Sequence, residues 1–347
     1  MIEVRRLRPG GQSAADIGAA IAGFAGGSTR SLDLALYDIR LHSPVAETVR
    51  EAIVGPGERG AAVRLAYNAD HERPVPVPPP PSTVPDLIEA MPVPTKGIPG
   101  IPDLMHHKYA VRDGAAVWSG STNWTQDSWE KQENVIVTVE SEAVAGDFTR
   151  NFEELWSSGR VEGSGEHDPQ VHDVDGAQVR CWFTPGRGRA LAQRIATVID
   201  RAERRVRIAS PVLTSGPVIG TLGEIVAERR VDLAGVLDAT QMERVFEQWQ
   251  ENPRSRWKLA PLGEVLGSGA FSGKRSIPWT PDSVHDFMHA KVTVADDTAF
   301  IGSYNLSRSG EFNAENVLEI RDPAIAEQMA DWIDEVRADY PPAPVPS

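Results

Sequence analysis

The chain has 347 residues, 41% of them hydrophobic and 24% charged, which suits one large or two smaller globular domains with core enough to fold unaided. A formal net charge of −14 disfavours a general electrostatic grip on nucleic acid or anionic lipid and leaves room only for a local positive cleft. The single Cys181 excludes an internal disulfide framework and cysteine-rich zinc sites.

Met1 to Arg6 lacks the apolar run of a secretory signal, and no stretch is apolar for long enough to span a bilayer, so a cytoplasmic location is expected. Ser13 to Phe24 carries Ala and Ile at helical spacing; Leu32 to Ile39 reads as a strand, Val45 to Val54 as a helix and Ala61 to Tyr67 as a strand. The Pro-rich stretch Pro74 to Pro102 reads as a surface loop. It leads into a hairpin, Met105 to Arg112 and Ala115 to Ser119, turning at Asp113-Gly114. A strand, Val135 to Val139, and a helix, Ala143 to Trp156, close this half. Ser157 to Gly176, rich in Ser, Gly and Asp, reads as a linker.

The same order then recurs. Val179 to Phe183 is strand-like, Ala190 to Ala202 reads as a helix, Arg205 to Ala209 as a strand, Val218 to Ala227 as a helix and Val231 to Leu237 as a strand. Asn252 to Asp286, with Trp257, Phe271 and Trp279 among Gly, Ser and Pro, reads as a second loop in the matching position. A hairpin, a strand (Val317 to Ile320) and a helix (Pro323 to Val336) follow. Alternating strands and helices with short links predict an α/β sandwich in each half. The expected plan is a first domain over 1–160, a linker over 161–176, a second domain over 177–340 and an extended Pro-rich tail over 341–347. The two loops are candidate lids over one shared site.

Within this frame one phrase is written twice. The first copy is His106-His107-Lys108, Asp113, Gly120-Ser121-Thr122-Asn123 and Glu133-Asn134; the second is His289-Ala290-Lys291, Asp296, Gly302-Ser303-Tyr304-Asn305 and Glu315-Asn316. Spacing by two along a strand projects His106 and Lys108, or His289 and Lys291, to one side, while His107 or Ala290 packs behind. The returning strand delivers Ser121 and Asn123, or Ser303 and Asn305, beside the histidine. The second hairpin is one residue shorter, which a different turn absorbs.

Two such hairpins facing one another suit a phosphodiester. Lys, Asn and Ser neutralise its charge and donate to its oxygens; one imidazole attacks phosphorus, and the second protonates the leaving alkoxide and then activates water. Glu133 and Glu315 are expected on the far ring nitrogens, fixing the tautomers. The lysines do the electrostatic work, so no metal and no cofactor is expected.

The paired H-x-K-x4-D motifs resemble those of the phospholipase D superfamily over nearly the whole chain. That resemblance implies two α/β/α sandwich domains related by a pseudo-twofold duplication, with one active site between them and a metal-independent reaction through a phosphohistidine. It carries catalytic roles to His106, Lys108, Asn123, Glu133, His289, Lys291, Asn305 and Glu315, with Ser121 and Ser303 in support. Asp113 and Asp296 then support the hairpins more than the chemistry. By analogy with relatives His106 is the nucleophile and His289 the acid and base, although the two copies are almost symmetric in sequence.

Other features have plainer readings. Trp124 either lines the cleft and stacks on a head group or base, or packs under the hairpin. His285 and His289 have the i,i+4 spacing of a helical zinc pair but no third ligand, so no metal is expected there. His42, His71 and His167 read as surface or loop residues. Arg201, Arg204, Arg205 and Arg207, interrupted by Glu203, read as a solvated helix end. Net acidity and the apolar residues of Pro74 to Met105 favour a phospholipid head-group diester over nucleic acid; a nuclease is the alternative, and a catalytically silent binding module the third reading. With both motifs in one chain, a monomer completes the site.

Overall fold

The computed structural model describes residues 1–69, 88, 90–100, 102–280 and 283–345. The first half runs β1 (Ile2–Leu7), α1 (Ala14–Ala25), β2 (Ser31–Leu36), β3 (Ile39–Arg40), α2 (Val45–Glu58), β4 (Ala62–Ala69), β5 (Thr95–Pro99), β6 (Lys108–Arg112), β7 (Ala116–Gly120), β8 (Trp124–Thr125), α3 (Gln126–Glu130), β9 (Asn134–Glu140) and α4 (Glu142–Ser158). The second runs β10 (His172–Val174), β11 (Ala177–Phe183), α5 (Gly188–Asp200), β12 (Arg205–Ser210), α6 (Gly216–Glu228), β13 (Asp232–Asp238), α7 (Ala239–Glu251), a 3-10 turn (Arg256–Lys258), α8 (Leu259–Gly267), β14 (Phe271–Lys274), β15 (Val292–Ala295), β16 (Thr298–Gly302), α9 (Arg308–Phe312), β17 (Asn316–Arg321) and α10 (Pro323–Ala338).

The duplication is explicit in the strand order. One sheet is β1-β9-β7-β6-β2-β4-β5; the other is β11-β17-β16-β15-β12-β13-β14 with β10 added beside β11. In each sheet the last three strands are parallel and the rest antiparallel, so β2, β4 and β5 match β12, β13 and β14. β10 lies inside the stretch expected to be a bare linker. It pairs with β11 through His172↔Val179 and Val174↔Ala177, because a turn at Asp175-Gly176, both with positive φ, folds the segment back as a hairpin.

Local chemistry sets the helices. Ser13 accepts from Asp16 N while the Asp16 carboxylate reaches back to Ser13 N, a capping box that starts α1. Ile17, Gly18 and Ile21 then form its buried stripe, and Gly18 lets Val45 of α2 approach. Outer faces of the sheets are covered by α1 and α2 in one half and by α5, α6 and α8 in the other. The inner faces share a single apolar layer with α4 and α10, in which Phe148, Phe152 and Trp332 are fully buried. Removing one such ring costs about 3–5 kcal/mol, so the two halves are held together by a core of ordinary strength and not by a linker.

Several sequence expectations meet a different structure. Much of Pro74 to Pro102 lies outside the described residues, and its described end is the sheet strand β5. The second expected loop is largely regular: α8 buries Leu262, Val265 and Leu266, and β14 sits on the sheet edge. Arg205 and Arg207 belong to β12, not to a helix end, and pair with Glu327, Asp232 and Asp334. The described residues of the tail run along β14, where Gly273 N donates to Pro341 O and Ala343 N to Phe271 O.

Candidate active site

Both hairpins end at the junction of the halves, and a crossing between halves aligns them. His106 N donates to Ala314 O at 2.9 Å, and His289 N to Glu133 O at 3.1 Å. Each histidine therefore precedes the regular strand and is placed by the opposite half. The preceding amides are held alike: Met105 N donates to Asn68 Oδ1 and Met288 N to Asp238 Oδ2, both at 3.0 Å. Asn68 and Asp238 lie at the ends of β4 and β13, next to last and last, at equivalent positions whose role is invisible without the strand register. Burial raises the Asp238 carboxyl to about 6, against hydrogen bonds from Gln241 N, Ser276 Oγ and Met288 N that lower it.

The glycine of each Gly-Ser-x-Asn has a steric reason. A Cβ on Gly120 would lie 2.1 Å from Val135 O, and one on Gly302 2.1 Å from Asn316 O. Gly120 also has φ +143°. This close crossing lets Ser121 N donate to Val135 O and Ser303 N to Asn316 O, both at 2.9 Å. Both serine side chains are fully buried and serve neighbours: Ser121 Oγ donates to Asn134 Oδ1 at 2.8 Å, and Ser303 Oγ accepts from Asn316 N at 3.0 Å.

Asp113 and Asp296 sit at the far ends of the hairpins with φ of 56° and 50°. The Asp113 carboxylate accepts from the amides of Thr29, Arg30 and Ser31; that of Asp296 accepts from Glu203, Arg204 and Arg205. These hydrogen bonds hold both carboxyls below their usual range against a desolvation that raises them, and tie each turn to the start of β2 or β12. The first turn spans Asp113 to Ala115 between Arg112↔Ala116; the second spans Asp296-Asp297 between Ala295↔Thr298, which absorbs the missing residue.

His106, His289, Asn123 and Asn305 line one cleft of about 350 Å³. Behind them Lys108 and Lys291 are buried, and each ammonium donates to the carbonyl of its own histidine, Lys108 to His106 O at 2.5 Å and Lys291 to His289 O at 2.7 Å. Burial pushes Lys108 down to about 7 and Lys291 well below its usual value. Both imidazoles are held well below their usual range, first by desolvation and then by Lys108 and Lys291 together, so each lysine acts on both histidines. The edge of the Tyr37 ring meets His106 at 4.7 Å, and Lys108 Nζ stands 4.8 Å over that ring. Asn123 Oδ1 has no hydrogen-bond partner among the described residues.

The far ring nitrogens break the symmetry. His106 Nδ1 meets Glu315 Oε2 at 2.8 Å and Oε1 at 2.9 Å, across the junction. Burial raises the Glu315 carboxyl to about 8, although Lys108, Ser303, Lys291 and Asn313 all favour its anion. Glu133 does not take the matching place. Its carboxylate accepts from Lys274 Nζ at 2.8 Å and from the Tyr340 hydroxyl. His289 Nδ1 instead meets Asn134 Oδ1 at 3.2 Å. The cause is Lys274 at the end of β14, a buried ammonium that needs a carboxylate partner. The equivalent strand of the first half ends in Ile98-Pro99 and leaves Glu315 uncontested. The Asn134 amide is oriented by its Nδ2, which donates to Ser128 O and Gln132 Oε1.

Of the two readings of Trp124 the structure shows the second: it is 1% exposed and packs in the core under the hairpin, where β8 pairs with β3 through Ile39↔Trp124, and it is not among the residues lining the cleft of His106 and His289. His107 is fully buried beside Tyr109 and Phe183 and accepts from Asn316 Nδ2 at 3.1 Å. His285 faces Arg40 and Thr280 O, and among the described residues no three His, Cys, Asp or Glu side chains converge as a metal site. Sequence reasoning missed Asn134, although its repetition as Asn316 was in view. It also missed α7, whose buried Met242, Phe246 and Trp249 at helical spacing follow the Asp238 cap and bring Arg244 and Gln248 to the cleft.

Two α/β halves that pool paired His, Lys and Asn side chains in one cleft define a duplicated protein with a single composite site. The chain belongs to the phospholipase D superfamily: the family model described as cardiolipin synthase, PLD-like domain matches residues 26–156 and 195–337. It is 36% identical over 70 residues to the mitochondrial cardiolipin hydrolase of Xenopus laevis, covering 20% of this chain and 29% of that protein. It is 39% identical over 56 residues to the mitochondrial cardiolipin hydrolase of Homo sapiens, covering 16% and 22%. The match thus spans less than a third of these relatives' own length. In fold it is similar to phosphatidylserine synthase of Haemophilus influenzae, with a TM-score of 0.65, 14% identity and coverage of 96% of this chain and 86% of that one. Polyphosphate kinase of Porphyromonas gingivalis gives a TM-score of 0.59 at 13% identity over 97% of this chain and 47% of the other. Among the described residues no helix is long and apolar enough to cross a membrane.

Proposed function

We propose that the chain is a phosphodiesterase that cleaves phospholipid head groups through a phosphohistidine on His106. The observation that carries the reaction is the carboxylate of Glu315 on His106 Nδ1, 2.8 Å away, with Lys108 and Lys291 acting on the same ring. Nε2 of His106 attacks phosphorus as His289 Nε2 gives its proton to the departing head-group oxygen. Water then yields a proton to His289 and attacks phosphorus, releasing phosphatidic acid and restoring His106. The positive charge that phosphorylation puts on the His106 ring favours the anion of Glu315, whose carboxyl burial otherwise raises to about 8, and that anion in turn stabilises the imidazolium; the Asn134 amide oxygen keeps Nδ1–H on His289 without anchoring a positive charge as strongly. The two histidines are thereby given unequal work.

An incoming phosphodiester anion supplies the counter-charge that the buried lysines lack, favouring their charged forms and a protonated His289. The Asn123 and Asn305 amides line the same cleft and donate to the equatorial oxygens. The lipid reading rests on the apolar part of the cleft wall, formed by Leu104, Pro211, Val212, Val245, Trp279 and Phe287.

Two results are expected. In micelles of phosphatidylcholine without added metal, the protein releases choline and His106→Ala does not; cleavage of DNA or RNA with lipid untouched would replace the substrate class and keep the chemistry. Glu315→Gln lowers kcat by about 10²–10⁴-fold, as loss of an imidazole-orienting carboxylate does. Glu133→Gln keeps kcat within about fivefold but destabilises the fold by about 3–5 kcal/mol, because it strips Lys274 of its buried partner. Equal kcat losses in the two variants, measured on folded protein, would refute the unequal roles of the two carboxylates.

A further inference from the structure

A second cationic pair faces the same cleft and is not used by the chemistry at phosphorus. Arg40 comes from β3 in the first half and Arg244 from α7 in the second; both line the cleft that holds His106 and His289. Arg40 is held in place. Its Nε donates to Asp38 Oδ2 at 3.2 Å and its Nη2 to His285 Nδ1 at 3.3 Å.

His285 is itself fixed on every side. It is 4% exposed, its amide donates to Asp127 Oδ2 at 3.0 Å, its carbonyl accepts from Gln132 Nε2 at 2.9 Å, and its ring stacks on Phe287. Because a guanidinium only donates, His285 Nδ1 is the acceptor and Nε2–H points to Thr280 O at 3.2 Å. Thus a buried, neutral imidazole serves to aim Arg40, which has spent two of its five N–H groups. Arg244 has no hydrogen bond or ion pair among the described residues, and the neighbouring Glu243 is engaged bidentately by Arg275 at 2.7 and 3.1 Å. A pre-aimed guanidinium and an unspent one, brought by the two halves to one cleft with two lysines buried behind it, form a receptor for a second anion.

We infer that the substrate carries a second phosphate, bound by Arg40 and Arg244 while the scissile phosphate lies between His106 and His289. This rests on the phosphodiesterase reading of the histidines and lysines and narrows it to substrates with two phosphate groups in one molecule. Two phosphates on a short linker occur in bis-phosphate lipids and in adjacent nucleotides; the apolar cleft wall favours the lipid.

Calorimetric titration of the whole chain with glycerol 1,3-bisphosphate and with glycerol 3-phosphate tests the subsite with water-soluble probes, independently of turnover and of acyl chains. The bisphosphate is expected to bind at least about tenfold tighter, equivalent to about 1.4 kcal/mol, and Arg244→Ala to bring the ratio close to one, with Arg244→Lys between. Arg244 is partly exposed on its helix, so these variants are expected to fold. Measurable but equal binding of both probes to the unaltered protein overturns the second subsite alone. Absence of binding by either probe overturns the phosphate site as a whole and this inference with it. Lipid and nucleotide sources are separated by rates on a bis-phosphate phospholipid and on a 5′-phosphorylated dinucleotide, which also carries two phosphates: the first falls in Arg244→Ala if the inference holds, and turnover of the dinucleotide alone reassigns the molecule that brings the second phosphate.

Discussion

A His289→Asn protein given a phosphodiester with a p-nitrophenyl leaving group is expected to release about one equivalent of nitrophenol per chain and then to slow by about 10²–10⁴-fold, the usual contribution of a positioned general base. Nitrophenolate leaves without a proton, so the first step no longer needs His289. The second step does, because water must lose a proton before it attacks, and Asn cannot take it. Phosphorus therefore stays on the protein. Mass spectrometry of an alkaline digest should find it on the peptide containing His106, as an acid-labile N–P bond. His106→Asn should show neither burst nor label.

The choice of His106, made by analogy with relatives, is supported by an asymmetry of the site: Glu315 stands against its Nδ1, whereas His289 Nδ1 meets the Asn134 amide oxygen at 3.2 Å. A carboxylate stabilises the cationic phosphoimidazole more than an amide does, and each 1.4 kcal/mol of that difference is a factor of about ten in its population. A labelled peptide carrying His289 in the His106 variant would exchange the two roles.

The sequence makes most of this fold legible because the duplicated phrase and the alternating elements carry local signals. Helix α1 has its capping box, the hairpins have Asp-Gly or Asp-Asp turns, and the Gly of Gly-Ser-x-Asn sits where no Cβ fits. What stays hidden is decided across long sequence separations. Glu133 and Glu315 are indistinguishable in their local phrases, yet Lys274, 141 residues from Glu133, claims one of them. Trp124 follows a cleft-lining Asn by one residue, and only the pairing of β8 with β3 turns it into the core. The expected second lid conceals α8 and β14 because Gly and Pro interrupt an apolar spacing that tertiary packing nevertheless completes. Arg40 and Arg244 carry no motif. They become a pair because both halves contribute residues to the cleft.

Lys108→Met is expected to lower kcat by about 10²–10³-fold, the loss typical of a preorganised electrostatic donor, while making the folded protein more stable at pH 7. The sign follows from its folded pKa. Burial brings Lys108 from 10.5 down to about 7, so between these values the unfolded chain binds the extra proton. Stability from this group therefore rises with pH across that window, and below pH 7 the whole cost of burying the charge is present, on the order of several kcal/mol. Methionine fills similar volume without that cost. It leaves His106 O without its donor, a loss of about 1–3 kcal/mol, and leaves Glu315 with one cation fewer. The relieved desolvation is the larger effect, so the net gain at pH 7 is about 1–3 kcal/mol. Glu315 works in the opposite sense: its folded pKa of about 8 lies above its usual 4.5, so its contribution is present below 4.5 and lost as pH rises to 8. Above pH 8 Glu315 no longer contributes, and Lys291, which titrates over the same range, is common to variant and parent, so their difference reads Lys108 between pH 8 and 10.5. Urea midpoints at pH 7, 8.5 and 10 should show the variant's advantage shrinking with pH at constant m-value. A variant less stable than the parent at pH 7, or an advantage independent of pH, would mean that Lys108 is already neutralised by its surroundings in the unliganded fold. If the advantage appears, the fold maintains at His106 an uncompensated cation whose missing partner is the phosphate itself, and substrate binding offsets a strain that folding alone cannot relieve.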